Sequence, residues 1–194
     1  MEKRFLWVAL ALLAVVLVAV AVTAYLNREQ VAFKGSVITP AIKASEISLT
    51  GSNGATVNLS DLRGKVVLIY FGYTKCPEEC PTTLAILRQV RTDLGIQAAE
   101  VQVLLVTTHL ANDTPEQMAN YLSAFDPTFI GLTGTEQDLE AVYRNYGVTV
   151  LDGGETHSTR VYVIDREGLL GLTLPYGMAP DDILHDLRLL LGND

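Results

Sequence analysis

Cysteine is nearly missing from this chain. Cys76 and Cys80 are the only two in 194 residues, four positions apart in one motif. So sparing a use, confined to the end of a β-prone run, marks the pair for chemistry. The count alone leaves a disulfide, a redox pair and a metal site open. Basic charge is also scarce. Setting aside Glu2, Lys3 and Arg4, the rest carries 12 basic and 21 acidic residues, a net of −9 against −8 for the whole chain. An acidic domain without a basic stripe is a poor nucleic-acid binder and does not hold anionic lipid by its own charge. Internal repeats and low-complexity stretches are absent outside the N-terminal apolar run. No Arg/Ser-rich transit segment precedes that run, which favours a bacterial envelope over an organelle.

The apolar run itself, Phe5 to Tyr25, has no charge and is long enough for a helix to cross a bilayer, which takes about 20 residues. Lys3 and Arg4 in front of it place the N-terminus in the cytoplasm and the chain beyond Leu26 outside. A cleavable signal peptide is the alternative, with Val22-Thr23-Ala24 as its site, but the run exceeds the usual apolar length of such signals. The expected organisation is an anchor over 1–26, a tether over 27–44 and one domain over 45–194. About 150 residues suffice for a single packed core.

Within the domain, Ile47 to Asp61 reads as a hairpin turning at Ser52–Gly54. Lys65 to Phe71 is continuously apolar and β-branched, as a central strand covered on both faces would be. Leu84, Leu87, Val90 and Leu94 follow at helical spacing up to Gly95, and Val101 to Val106 is a second buried strand. Thr114, Pro115 and Gln117 form a helix start with a capping box, Met118, Tyr121, Leu122 and Phe125 sharing one face. A third helix follows Thr135 and ends at Gly147. Val148 to Thr159 shows no periodicity. Two strands, Arg160–Asp165 and Leu169–Leu174, and a helix opened by Pro180 complete the order β-β-β-α-β-α-α-β-β-α. The fold class expected is α/β, a thioredoxin-like domain whose central mixed sheet has flanking helices and an N-terminal hairpin extension.

Cys76 and Cys80 then lie in the loop after the first central strand and at the start of a helix. Pro81 suits that first turn. Unpaired N–H groups at a helix N-terminus favour thiolate, the form that attacks disulfides and binds soft metals. A merely structural disulfide would close a loop of about four residues and stabilise little. His157, in Thr156-His157-Ser158, precedes the strand at Arg160. In a thioredoxin-like layout its loop lies beside the cysteines, and two thiolates with one imidazole suit copper. Zinc would want a fourth ligand. Of the remaining candidates, His109 reads as a loop histidine, His185 and Met178 as packing, Asp113 as a helix cap, and Asp181 and Asp182 as first-turn acids.

Y-F-G-Y-T-K-C-P-E-E-C-P-T-T-L resembles the copper-site segment of the SCO/SenC proteins, membrane-anchored thioredoxin-like copper chaperones for cytochrome c oxidase. T-H-S-T-R-V-Y-V-I-D, D-T-P-E and F-I-G-L-T-G are similar to further segments of that family. The resemblance implies copper, Cu(I) or Cu(II), held by Cys76, Cys80 and His157 and delivered to the CuA centre of cytochrome c oxidase subunit II or another copper-accepting protein. It implies a single-pass protein of the bacterial inner membrane with its domain in the periplasm or extracytoplasmic space. The competing function is a thiol-disulfide reductase cycling Cys76 and Cys80 on the oxidase's copper-site cysteines, which needs no His157. A peroxidase of the same fold should show its own motif around one attacking cysteine, and none is present. One departure stands out. Thr107-Thr108-His109-Leu110-Ala111-Asn112 replaces the family's acidic segment, putting His109 where an aspartate is usual and raising it as an accessory ligand.

Overall fold

Residues 15–18 and 32–192 are described by the computed structural model of the chain, less the side chains of Thr156 and His157. The chain divides into two units, Met1–Ala32 and Phe33–Asp194. In the first, residues 15–18 are helical, and the anchor expected over Phe5–Tyr25 falls for the most part outside the described residues. Among the described residues no helix is long and apolar enough to cross a membrane.

The second unit is built on a sheet of eight strands. In chain order these are β1 (Ser36–Lys43), β2 (Ser48–Gly51), β3 (Thr56–Asn58), β4 (Val66–Gly72), β5 (Val101–Thr107), β6 (Ile130–Thr133), β9 (Val161–Ile164) and β10 (Leu169–Leu174). A small separate pair, β7 (Val150–Leu151) and β8 (Thr156–His157), lies between β6 and β9 in sequence. Across the sheet the strands run β1-β10-β9-β4-β5-β6-β2-β3. Helices α1 (Glu79–Leu94), α2 (Pro115–Ser123), α3 (Glu136–Tyr146) and α4 (Pro180–Leu191) cover the sheet. Strand β4 pairs parallel with β5 and antiparallel with β9, and β5 pairs parallel with β6, so the sheet is mixed at its centre.

Strand β4 shows why its sequence is apolar at every position. Val66, Leu68 and Tyr70 point into a core with α1, α2 and α4, while Val67, Ile69 and Phe71 point into a second core with α3. A strand buried on both faces needs no alternation with polar residues. Phe71 meets Tyr143, Tyr146 and Tyr162 at centroid distances of 5.5–6.1 Å. The expected hairpin is β2–β3, and Thr114 caps α2 through the expected capping box with Gln117.

Three corrections concern strands. Residues 36–43, expected as tether, form the edge strand β1 against β10. Strand β6 sits between α2 and α3, where the sequence pattern leads one helix directly into the next. The aperiodic stretch after Val148 contains β7 and β8. The start of β1 is fixed by Asp186 of α4, a fully buried carboxylate whose two oxygens accept the Lys34 and Gly35 N–H groups at 2.8 Å each. Asp186→Asn turns one acceptor into a donor facing a backbone N–H. It is expected to lower stability by about 1–3 kcal/mol in urea unfolding, with new proteolytic cleavage ahead of Ser36 as the local readout.

Candidate metal centre

The first central strand ends where its fold leaves no room for a side chain. A Cβ on Gly72 would lie 2.8 Å from Cys80 Sγ and 3.0 Å from Tyr70 Cε1. The chain then turns through Tyr73, whose carbonyl accepts the Cys76 N–H at 3.3 Å, and enters α1 at Glu79. Cys76 is half-buried in this loop, and Cys80, second residue of the helix, has no exposed surface. Both are thiols, not joined in a disulfide, and the Cys80 N–H donates to Cys76 Sγ at 3.3 Å. The helix N-terminus therefore already directs a backbone donor at the outer sulfur.

The inner sulfur behaves differently from the expectation that both favour thiolate. Burial is the largest influence on Cys80 and pushes its thiol up to about 12, and the neighbouring Cys76 adds to the rise. Contacts with the Tyr73 backbone and the Tyr70 hydroxyl act the other way but do not offset burial. Desolvation outweighs the helix dipole here, whose contribution is at most about 2 kcal/mol. Tyr70 Oη donates to Cys80 Sγ at 3.7 Å from the floor of the site.

Asp113 holds the loop in place. Its carboxylate is fully buried and accepts from Thr74 Oγ1 and Thr107 Oγ1 at 2.6 Å each, and from the Thr74 N–H at 3.2–3.3 Å. Thr107 ends β5, and its carbonyl accepts the Tyr143 hydroxyl at 2.6 Å. The helix-cap role expected of Asp113 belongs instead to Thr114, and Asp113 joins the cysteine loop to the end of β5. A pattern of spacing could not disclose this, because Thr74 and Asp113 are 39 residues apart.

His109 follows the same strand end. Its ring accepts from the Asn112 side-chain amide at 3.0 Å and lies 5.8 Å from the Tyr73 ring, while Asn112 Oδ1 accepts from Lys75 Nζ at 2.9 Å. Among the described residues no three Cys, His, Asp or Glu side chains gather as a metal-holding group, so His109 does not join the two sulfurs. The side-chain partners of His109 in this structure are Asn112 and Tyr73. Met178 packs on the α1-side core, as expected.

His157 lies in β8, where its backbone pairs with Val150, and its side chain is outside the described residues. The excursion carrying it is tied to the same strand end, because Thr108 Oγ1 donates to the Gly154 carbonyl at 2.8 Å. Glu155 is close enough to help raise the Tyr73 phenol, after burial and Cys76. Two grooves of about 540 Å³ open on the flanks of the Leu110 loop, and neither is lined by a cysteine. Cys76 sits on the loop and Cys80 in the first turn of α1.

A strand–loop–helix bearing two reduced cysteines, on a mixed sheet covered by helices on both faces, defines a thioredoxin-like domain. The chain belongs to the SCO1/SenC family, whose model matches residues 37–192. It is 31% identical over 152 residues to an SCO2-like protein of Rickettsia felis, covering 74% of each chain. Among solved structures it is similar to Bradyrhizobium japonicum ScoI with copper bound, at 34% identity and a TM-score of 0.71, covering 77% of this chain and 99% of that one. It is also similar to apo Sco1 from Thermus thermophilus, at 32% identity and a TM-score of 0.73, covering 84% and 99%.

Two outcomes are expected from this geometry. Asp113→Asn removes acceptor capacity from buried donors of Thr74 and Thr107, and should cost about 1–3 kcal/mol in thermal or urea unfolding. The two thiols should also react unequally. In the reduced, folded chain at pH 8, iodoacetamide is expected to modify Cys76 at least about 100-fold faster than Cys80, measured by mass spectrometry of time points. Denaturant should erase most of the difference.

Proposed function

We propose that this protein is a copper chaperone, with Cys76, Cys80 and His157 as the ligands of its cargo. The observation that carries the reading is a pair of reduced sulfurs, in contact through the Cys80 N–H, in a chain whose family includes ScoI with copper bound. Thiolates are soft ligands that select Cu(I), and imidazole accepts either oxidation state. Burial holds Cys80 as a thiol until a metal displaces its proton, so loading releases protons and competes with them. The half-exposed Cys76 is where an acceptor's own thiolate or imidazole can enter, exchanging ligands one at a time. The acceptor proposed is the CuA centre of cytochrome c oxidase subunit II during assembly.

The proposed organisation is a retained single-pass anchor over 1–26, a tether leading into the edge strand, and the domain in the periplasm of a bacterial inner membrane. The apolar run Phe5–Tyr25 behind Lys3 and Arg4 supports it.

The asymmetry of the two cysteines favours one second reading, thiol-disulfide reduction of the acceptor's cysteines. The exposed Cys76 thiolate would attack the acceptor disulfide, forming a mixed disulfide and releasing one acceptor thiolate. Cys80, after losing its proton, would attack Cys76 sulfur and release the second. The acceptor gains two electrons and the pair becomes a disulfide, to be reduced again by an external dithiol.

Anaerobic Cu(I) competition on the reduced full chain separates the two. The expected result is one copper per chain, with affinity weakened at least about tenfold by His157→Ala and more by Cys80→Ser. Binding indifferent to His157→Ala removes that residue from the ligand set, and no binding at all favours the reductase. His109→Asp should leave the affinity unchanged.

A further inference from the structure

The reading of Cys76 and Cys80 as the working sulfurs leaves a buried hydroxyl unexplained. Tyr70 has no exposed surface and lies on the α1 face of β4. Its hydroxyl donates to Cys80 Sγ at 3.7 Å and interacts with the Thr83 side chain one turn further along α1. Gly72 lies against the same sulfur, since a Cβ there would come within 2.8 Å of it. A buried hydroxyl costs free energy unless it is partnered, and here the Cys80 sulfur and the Thr83 side chain both partner it.

We propose that Tyr70 is a positioning residue that sets the electron-donor strength of the Cys80 sulfur, and through it the reduction potential of the Cys76–Cys80 pair. This rests on the proposal that those two sulfurs do the work, whichever work it is. A thiol or metal-bound thiolate carries more negative charge than a disulfide sulfur, so a hydrogen-bond donor stabilises the reduced form more. The same donor draws charge from a sulfur bound to copper and favours Cu(I) over Cu(II). Both effects raise the potential, and both vanish with the hydroxyl.

The test is Tyr70→Phe in the full chain, equilibrated with glutathione buffers. Reduced chain plus one oxidised glutathione gives the Cys76–Cys80 disulfide plus two reduced glutathiones, so protons and electrons balance. The expected result is an equilibrium shifted towards the disulfide by about tenfold, roughly 30 mV for this two-electron couple. Tyr146→Phe is the control. It deletes another buried hydroxyl, one in the second core that donates to the Ser45 carbonyl and interacts with Glu46 and Arg63 and not with the cysteines, and it should leave the equilibrium unmoved. Difluorotyrosine at position 70 keeps the shape, donates more strongly and should shift the equilibrium the other way, which also covers a Tyr70→Phe chain that folds poorly. In the copper(II)-loaded chain, Tyr70→Phe should move the sulfur-to-copper charge-transfer band to longer wavelength. An unchanged glutathione equilibrium, or a shift matched by Tyr146→Phe, overturns the assignment. The glutathione arm contains no copper, so failure of the copper reading leaves it intact, and a copper-binding chain with an unmoved equilibrium loses only Tyr70.

Discussion

The cysteine loop depends on one buried carboxylate. Asp113 accepts hydrogen bonds from Thr74, two residues before Cys76, and from Thr107 at the end of the neighbouring strand. A carboxyl group without exposed surface is costly unless its oxygens are partnered, and here donors from two separate segments hold it. The arrangement fixes the loop before any ligand arrives. It also joins the loop to the strand end on which His109, the Tyr143 hydroxyl and, through Thr108, the excursion carrying His157 converge. Preorganisation of this kind reduces the ordering that binding would otherwise have to drive.

On that fixed loop the two sulfurs are unlike. Cys76 is reachable and receives a backbone N–H; Cys80 is enclosed by Gly72 and Tyr70 and kept protonated by burial. An outer sulfur that exchanges partners and an inner one that retains its hold suit a protein that must both bind and release. The same inequality suits a dithiol in which one sulfur attacks and the other resolves. Chaperone and reductase therefore draw on one piece of geometry, and the third ligand decides between them.

Much of this is legible in the residues. Continuous apolar residues from Val66 to Phe71 mark the central strand because both faces are covered, and Pro81 marks the turn into α1. Strand β6 is hidden by its length of four residues and by Gly131, which normally argues against a strand. The glycine is there because a Cβ would lie 2.7 Å from Met118 Cβ of the helix packed above. Strand β1 is hidden because an exposed edge has no apolar pattern to read, and its partner β10 lies more than a hundred residues away. Asp113 looks like a helix cap because it precedes Thr114 and Pro115, and only the tertiary fold brings Thr74 to it. His109 attracts notice for standing where an aspartate is expected, but its packing on Tyr73 and its bond from Asn112 are not visible in spacing.

The central claim is that both unlike sulfurs and the imidazole of His157 hold one metal ion together. X-ray absorption at the copper edge of the anaerobically loaded full chain tests it most directly. The account predicts two sulfur scatterers with the multiple-scattering signature of imidazole, the latter lost in His157→Ala. A spectrum with a single sulfur, or with two sulfurs and the same imidazole signature after His157→Ala, would contradict it.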